Sequence, residues 1–388
     1  MQRIPRGVWA LGFVSLFMDV SSEMIHGLLP VFLVNVLGAS AAALGLVEGI
    51  AESTASITKV FSGTLSDWLG KRKLLTGLGY ALGAVSKPFF AMAPSVGWVL
   101  GARFADRIGK GVRGAPRDAL IADITPADAR GAAFGLRQAL DTVGAFAGPL
   151  LAIALMSATH DDFRLVFWIA VCPALVSVGV LVFGVTEPDR PTALDAERAA
   201  PRFAALGEIG ASYWVIVAIG AVLTLARFSE AFLVLRATSL GLPFAFAPLV
   251  LVVMNVLYAG SAYPMGALSD AIDRRLIIGV GFGVLILADL VLAAASGVLG
   301  VLLGVALWGL HLGMTQGLLG ALVADTAPER LRGTAFGVFH LVSGIAMLLA
   351  SVLAGILWAQ LGAPATFLAS ATFTAVGLAS MLLVATRR

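Results

Sequence analysis

Three ionisable residues near the start of the chain have the spacing for proton chemistry. Asp19, Glu23 and His26 stand four and three residues apart, which places them on one face of a helix. They interrupt an apolar stretch that runs to about Leu37. Carboxylates held close together away from water can exchange protons. Two uses fit: a proton-coupling site, or a structural salt bridge to an arginine further along the chain. Glu23 and His26 also match a Glu-x-x-His metal-ligand spacing, to which Asp19 would add a third donor. The many cations downstream argue against a divalent ion at this face, and no metal is expected there.

Other charges recur at helical spacing within apolar runs. Glu48 and Glu52 share a face, with Lys59 two turns on. Glu48 is expected to meet only water at the outer end of its span, which leaves Glu52 as the cavity candidate. Arg103, Asp106, Arg107, Lys110, Arg113 and Arg117 repeat every three or four residues. Part of this stripe must neutralise the preceding acids, and a surplus would draw an anionic solute. Arg137 and Asp141 are four apart and are expected to pair. The second half is poorer in charge, with Arg227 and Glu230 together, then His311, Gln316 and His340. Phe228, Phe232, Trp308 and Phe339 either line an apolar binding surface or pack in the core. Asp289 has no evident partner. Ionisable groups inside a bilayer are costly and usually face a cavity or one another.

The elements that carry these residues follow from composition. Of 388 residues, 59% are hydrophobic and 13% charged. Soluble domains are about 45–50% apolar and about 25% charged. Such a chain is an all-α membrane protein, with the lipid bilayer as its first partner. Its single cysteine, Cys172, excludes an internal disulfide, and the formal charge of +3 is too small for nucleic acid. A span needs about 20 mainly apolar residues. Twelve segments qualify, near 7–37, 41–66, 74–93, 97–124, 131–157, 163–185, 211–238, 243–267, 276–296, 299–325, 332–360 and 364–386. The first is too long for a cleaved signal segment. Residues 186–207 carry both charge signs and three prolines, and read as a linker between bundles at 1–185 and 208–388. Basic residues gather on one side, among them Lys71, Arg72, Lys73, Arg130, Arg274, Arg275 and Arg332, while the other side holds only Arg164. The basic side is therefore expected to be cytoplasmic, with both termini inside and the protein in the cytoplasmic membrane.

The halves repeat. Ala-Leu-Ile-Ala-Asp ends at Asp123, and Ala-Leu-Val-Ala-Asp ends 202 residues later at Asp325. Each is followed by Pro, Arg, Gly, Phe and Gly at matching places. Gly-x-Leu-Ser-Asp ends at Asp67 and again at Asp270, 203 residues later. Parallel six-span repeats place a binding site near the midplane between them.

Three motifs carry a family resemblance. Gly63, Asp67 and Gly70 precede Lys71, Arg72 and Lys73, which resembles the loop motif between the second and third spans of the major facilitator superfamily. Trp68 replaces a basic residue, and in the second copy Asp273 stands where Gly70 does in the first. Arg107, Lys110, Gly111, Arg113 and Ala115 resemble the fourth-span motif Arg-x-x-Gln-Gly-x-Gly-Ala-Ala, with Lys110 for Gln and Arg113 for Gly. Gly144, Gly148 and Pro149 resemble the fifth-span motif of antiporters and drug exporters, whose last two glycines are Ala152 and Ile153 here. The resemblance implies twelve transmembrane helices in two pseudo-symmetric six-helix bundles. It also implies a cytoplasmic gate of Gly63, Asp67, Gly70, Arg72, Asp123, Asp270 and Asp325.

The expected function is secondary transport of a small solute by alternating access, coupled to protons and directed outward. The alternatives are uptake of an anionic metabolite or metal chelate, and a divalent-metal transporter. A membrane-embedded enzyme finds no support in one cysteine and histidines scattered at 26, 160, 311 and 340. A passive channel would not need parallel repeats with a gate motif. No cofactor is expected, and the protein is expected to act as a monomer.

Overall fold

The computed structural model describes the backbone of residues 5–69, 71–126, 129–187, 210–268, 272–326 and 332–385. Thirteen helices order the described chain: α1 Arg6–His26, α2 Ala41–Leu69, α3 Arg72–Ala91, α4 Val96–Ile124, α5 Arg130–Ala158, α6 Phe163–Gly184, α7 Ala211–Ala226, α8 Ala231–Ser239, α9 Leu249–Leu268, α10 Arg274–Ala294, α11 Val298–Thr326, α12 Arg332–Leu361 and α13 Ala363–Ala385. Short helical turns over Leu29–Val31 and Phe32–Val36 prolong the first span. Residues 211–238 are expected to form one helix. The chain instead leaves the helix after Ala226 and resumes at Ala231, so α7 and α8 share the seventh span. Thirteen helices thus make twelve spans.

Eight of these spans are long and apolar enough by composition alone to cross a membrane, among the described residues. Helices α2, α3 and α4, which carry buried charges, and α13, whose side chains are described over a shorter apolar stretch, are not among them. Helix starts are capped where the sequence offers an oxygen. Ser95 Oγ accepts the Trp98 amide at the head of α4, and Asp162 accepts the Leu165 amide at the head of α6. Gly362, at φ +83°, makes the tight turn between α12 and α13, a conformation that side chains resist.

The helices gather into two compact units, Met1–Leu29 with Thr54–Pro201, and Pro30–Ser53 with Arg202–Arg388. In the first, α1 packs on α5 and α6, and α3 packs on α4 and α6. In the second, α7 packs on α12 and α13, and α10 packs on α11 and α13. With α7 and α8 taken as one span, the neighbour patterns correspond, as the sequence repeat requires. Val8, Leu11, Met18, Tyr80, Leu120 and Ile121 form the core of the first unit. In the second, Phe228, Phe232, Trp308, Trp358 and Phe367 join in an aromatic cluster. Phe228, Phe232 and Trp308 are buried there, so they pack the core.

Two arginines close helix ends at corresponding places. Arg164 donates at 2.8 Å to both Ala91 O, the last residue of α3, and Ala93 O just beyond it. Arg236 donates to the carbonyls of Leu292, Ala293 and Ala295 at 3.1, 3.3 and 2.8 Å, at the end of α10. Terminal carbonyls of a helix lack intrahelical partners and carry partial negative charge, so a guanidinium suits them. Arg236→Ala removes three charge-assisted bonds at a buried site and is expected to destabilise the protein by on the order of 2 kcal/mol. Unfolding of the detergent-solubilised protein checks this, and an unchanged midpoint would reject the capping role.

Candidate functional site

In the first unit the acidic face of α1 lies against the glycines of α5. A β-carbon on Gly144 would come within 2.9 Å of Asp19 Cβ and 2.8 Å of Leu16 O. One on Gly148 would come within 2.7 Å of Glu23 Cβ and 2.8 Å of Val20 O. The two glycines of the fifth-span motif are therefore what lets α5 approach the two acids, four residues apart on each helix. Pro149 follows inside α5. Glu23 pairs with His26 at 3.5 Å, both partly accessible. Asp19 shares its electrostatic surroundings with Asp141 of α5 and with Arg113, Lys110 and Arg117 of α4. Asp19 and Glu23 thus lie near cations of α4.

The stripe itself divides. Arg103, Asp106, Arg107 and Arg113 are buried, whereas Lys110 is exposed. Asp106 accepts from Lys87 Nζ of α3 at 2.8 Å, and that ammonium also donates to Ser22 Oγ of α1 at 2.9 Å. Arg107 Nε stands 4.0 Å from Asp106 Oδ2. The α3–α4 contact that permits this is close: a β-carbon on Gly79 would meet Arg113 Cβ at 2.7 Å, and one on Gly109 would meet Gly79 O at 2.7 Å. On the other flank, Ser62 of α2 donates to Gly111 O at 2.9 Å.

Towards the basic end the charges form a chain. Arg113 lies over the Tyr80 ring, 4.6 Å from its centroid. The Tyr80 hydroxyl is 3.0 Å from Ser15 Oγ, to which Arg117 donates at 2.8 Å. Asp118 accepts from Arg117 Nε at 3.1 Å and from Arg137 Nη1 at 3.3 Å. Arg137 Nε donates to Asp141 Oδ2 at 3.1 Å, so the expected pair forms. Asp19 and Asp141 both lie near Arg117. Beyond this chain Arg72 and Asp123 form a 2.9 Å ion pair that joins α3 to α4. Gly63, Asp67, Gly70, Asp270 and Asp325 fall outside the residues whose side chains are described.

In the second unit the candidates surround the break in the seventh span. Ser370 of α13 donates to Ala226 O at 2.6 Å, and the Ser229 amide donates to Ser351 Oγ of α12 at 3.2 Å. Ser229 Oγ in turn accepts the Ala231 amide at the head of α8. Backbone groups freed by the break are met in this way by side chains of neighbouring helices. Arg227 and Glu230 are half-buried at the break, and two buried donors of Arg227, Nε and Nη1, have no hydrogen-bond partner. Their electrostatic neighbour Tyr258 comes from α9. His311 is fully buried and bonds through Nδ1 to Gly281 O at 2.8 Å, which seats it in the α10–α11 packing.

Two expectations need correction. Glu48 does not meet water: it is 0% exposed and accepts from Ser229 Oγ at 3.2 Å. The first part of α2, which carries both Glu48 and half-buried Glu52, clusters with the second unit, so burial replaces the water expected at that end. Asp289 does have a neighbour, Ser370 Oγ at 2.5 Å. Sequence reasoning also missed Lys87, Asp118 and Tyr80. Lys87 had a signal, being a lone cation in an apolar run, but nothing in its own span indicates the acid that answers it.

A family model described as the Major Facilitator Superfamily matches residues 11–254 and 219–388. The chain belongs to the Major Facilitator Superfamily. It is a multi-pass membrane transporter and not an enzyme. Among relatives in the superfamily, an uncharacterized MFS-type transporter, MJ1317 of Methanocaldococcus jannaschii, is 31% identical over 365 residues, covering 92% of this chain and 89% of the relative. The quinolone resistance protein NorA of Staphylococcus aureus is 27% identical over 223 residues, 56% of this chain and 54% of NorA. The crystal structure of a point mutant of the nucleoside transporter NupG superposes with a TM-score of 0.81 at 11% identity, covering 97% of this chain and 99% of that one. That structure shows that the fold is shared.

Two pairs of variants test the packing of this superfamily member. Gly148→Ala forces its new methyl group into Glu23 and is expected to cost about 1–3 kcal/mol, whereas Gly101→Ala, which meets nothing within 4 Å, should be neutral in the same unfolding assay. Lys87→Met removes the 2.8 Å partner of Asp106 and leaves it the more distant Arg107, and is expected to cost up to about 3–5 kcal/mol, with Lys87→Met plus Asp106→Asn recovering much of it. Equal stability of the single and double variants would remove the pair from the account.

Proposed function

We propose that this transporter exports a small organic solute across the cytoplasmic membrane by alternating access, driven by protons moving the other way, with both termini on the cytoplasmic side. The observation that carries the reading is the contact of Asp19 and Glu23 with Gly144 and Gly148. The glycines resembling the antiporter motif meet the helix face that bears exchangeable protons. Movement of α5 along α1 would alter the surroundings of both acids, which is what coupling requires. Asp141 and the cations of α4 complete the charge balance, and the pair Arg72–Asp123 belongs to the cytoplasmic gate. The partial similarity to NorA supports outward transport.

A second reading, carriage of an organic anion, is favoured by the unpartnered Nε and Nη1 of Arg227. A guanidinium with buried donors to spare suits a carboxylate or phosphate. Proteoliposomes with an imposed pH gradient, screened against cationic, neutral and anionic solutes, separate the two.

In that assay Asp19→Asn and Glu23→Gln are expected to abolish flux driven by the pH gradient while solute binding persists. Wild-type gradient-driven flux in both variants would exclude this face from coupling.

A further inference from the structure

Asp289 of α10 is fully buried in the second unit. Its Oδ2 is 2.5 Å from Ser370 Oγ, and its Oδ1 is buried with no hydrogen-bond partner. The same Ser370 oxygen is 2.6 Å from the carbonyl of Ala226, the last residue of α7 before the break. A serine hydroxyl has one hydrogen. The Ala226 carbonyl can only accept, so its short contact takes that hydrogen. The contact between Ser370 and Asp289 then lacks one, unless the carboxyl supplies it.

The surrounding charges do not offer an alternative. From α11, His311 is bonded to Gly281 O, and Asp325 stands at the far end of the helix. From α8, Arg236 is engaged by the carbonyls of Leu292, Ala293 and Ala295. At the break, Arg227 has Glu230 and Tyr258 as its electrostatic neighbours. Tyr213 of α7 donates to Ala335 O. Helix α13 has no ionisable residue. An ionised carboxylate here would be a buried charge with no counterion among the described residues, which hydrocarbon penalises heavily.

We propose that Asp289 is a proton-binding site read by the break in the seventh span. In this conformation the proton sits on Oδ2 and bonds to Ser370 Oγ, which leaves the serine hydrogen on Ala226 O. When the proton passes from Oδ2 to water, no other covalent bond changes. The Ser370 hydroxyl turns to the carboxylate, and the Ala226 carbonyl loses its donor. The break then has one backbone acceptor unmet and favours another arrangement. The site belongs to the second unit and goes beyond the proton coupling assigned to the acids of α1.

Infrared spectroscopy of the full chain in lipid nanodiscs tests this without any transport measurement. At neutral pH the wild type should show the carbonyl stretch of a protonated carboxyl group. Asp289→Asn should abolish that component while keeping a near-wild-type melting temperature, because the amide can donate to Ser370 in place of the acid. Ser370→Ala, which retains Asp289, should shift the band to higher frequency by removing its hydrogen-bond partner. Absence of a protonated band in the wild type, or a band indifferent to both substitutions, would overturn the proposal. So would a wild-type protein stabilised by sodium with Asp289 ionised, which would make the site one for a metal cation. Transport can fail or succeed in the α1 variants without touching these outcomes.

Discussion

Within hydrocarbon no water completes the coordination of a polar group, so every buried charge and every freed backbone group must find its partner on a neighbouring helix. The arrangement of the first unit follows from that demand. Lys87 and Asp106 answer one another across α3 and α4, and Asp118 accepts from two arginines on α4 and α5. Breaking one such pair costs more than the pair contributes, because the remaining charge cannot reach water. These contacts need helices at close range, and glycines at 79, 109, 144 and 148 provide it.

The second unit meets the same demand with fewer charges. Where span seven leaves the helix, hydroxyls of Ser229, Ser351 and Ser370 replace the lost backbone partners. Two of these hydroxyls, Ser351 and Ser370, come from more than a hundred residues away. Neutral hydroxyls tie the backbone more weakly than ion pairs tie α3 to α4, which leaves the break easier to rearrange than the charged bundle.

What the sequence made legible was whatever repeats locally. Twelve apolar segments, the 202-residue offset and the Arg137–Asp141 pair all rest on short-range periodicity. The glycines at 144 and 148 were visible as a motif, but only packing shows that Asp19 and Glu23 are what they face. Partners on different spans were hidden. Lys87 and Asp106 are separated by a loop, and the alignment of two helices is not written in either. The break after Ala226 was hidden for a further reason: it contains neither proline nor glycine, and the hydroxyls that satisfy it come from α12 and α13. Glu48 was misread for the same cause, since its neighbour Ser229 lies in a distant segment.

The Lys87–Asp106 pair has a consequence for how the protein is made. A charge near the middle of a lone apolar helix opposes entry into the bilayer by about 2.5–3.5 kcal/mol, and one nearer an end, such as Lys87, by less. Helix α3 bears the one and α4 the other, joined by a four-residue turn at 92–95. Each segment emerging alone from the ribosome is a poor candidate for partitioning into lipid, while the closed hairpin is a good one. Partitioning of α3 and α4 together, with the pair already closed, avoids that cost.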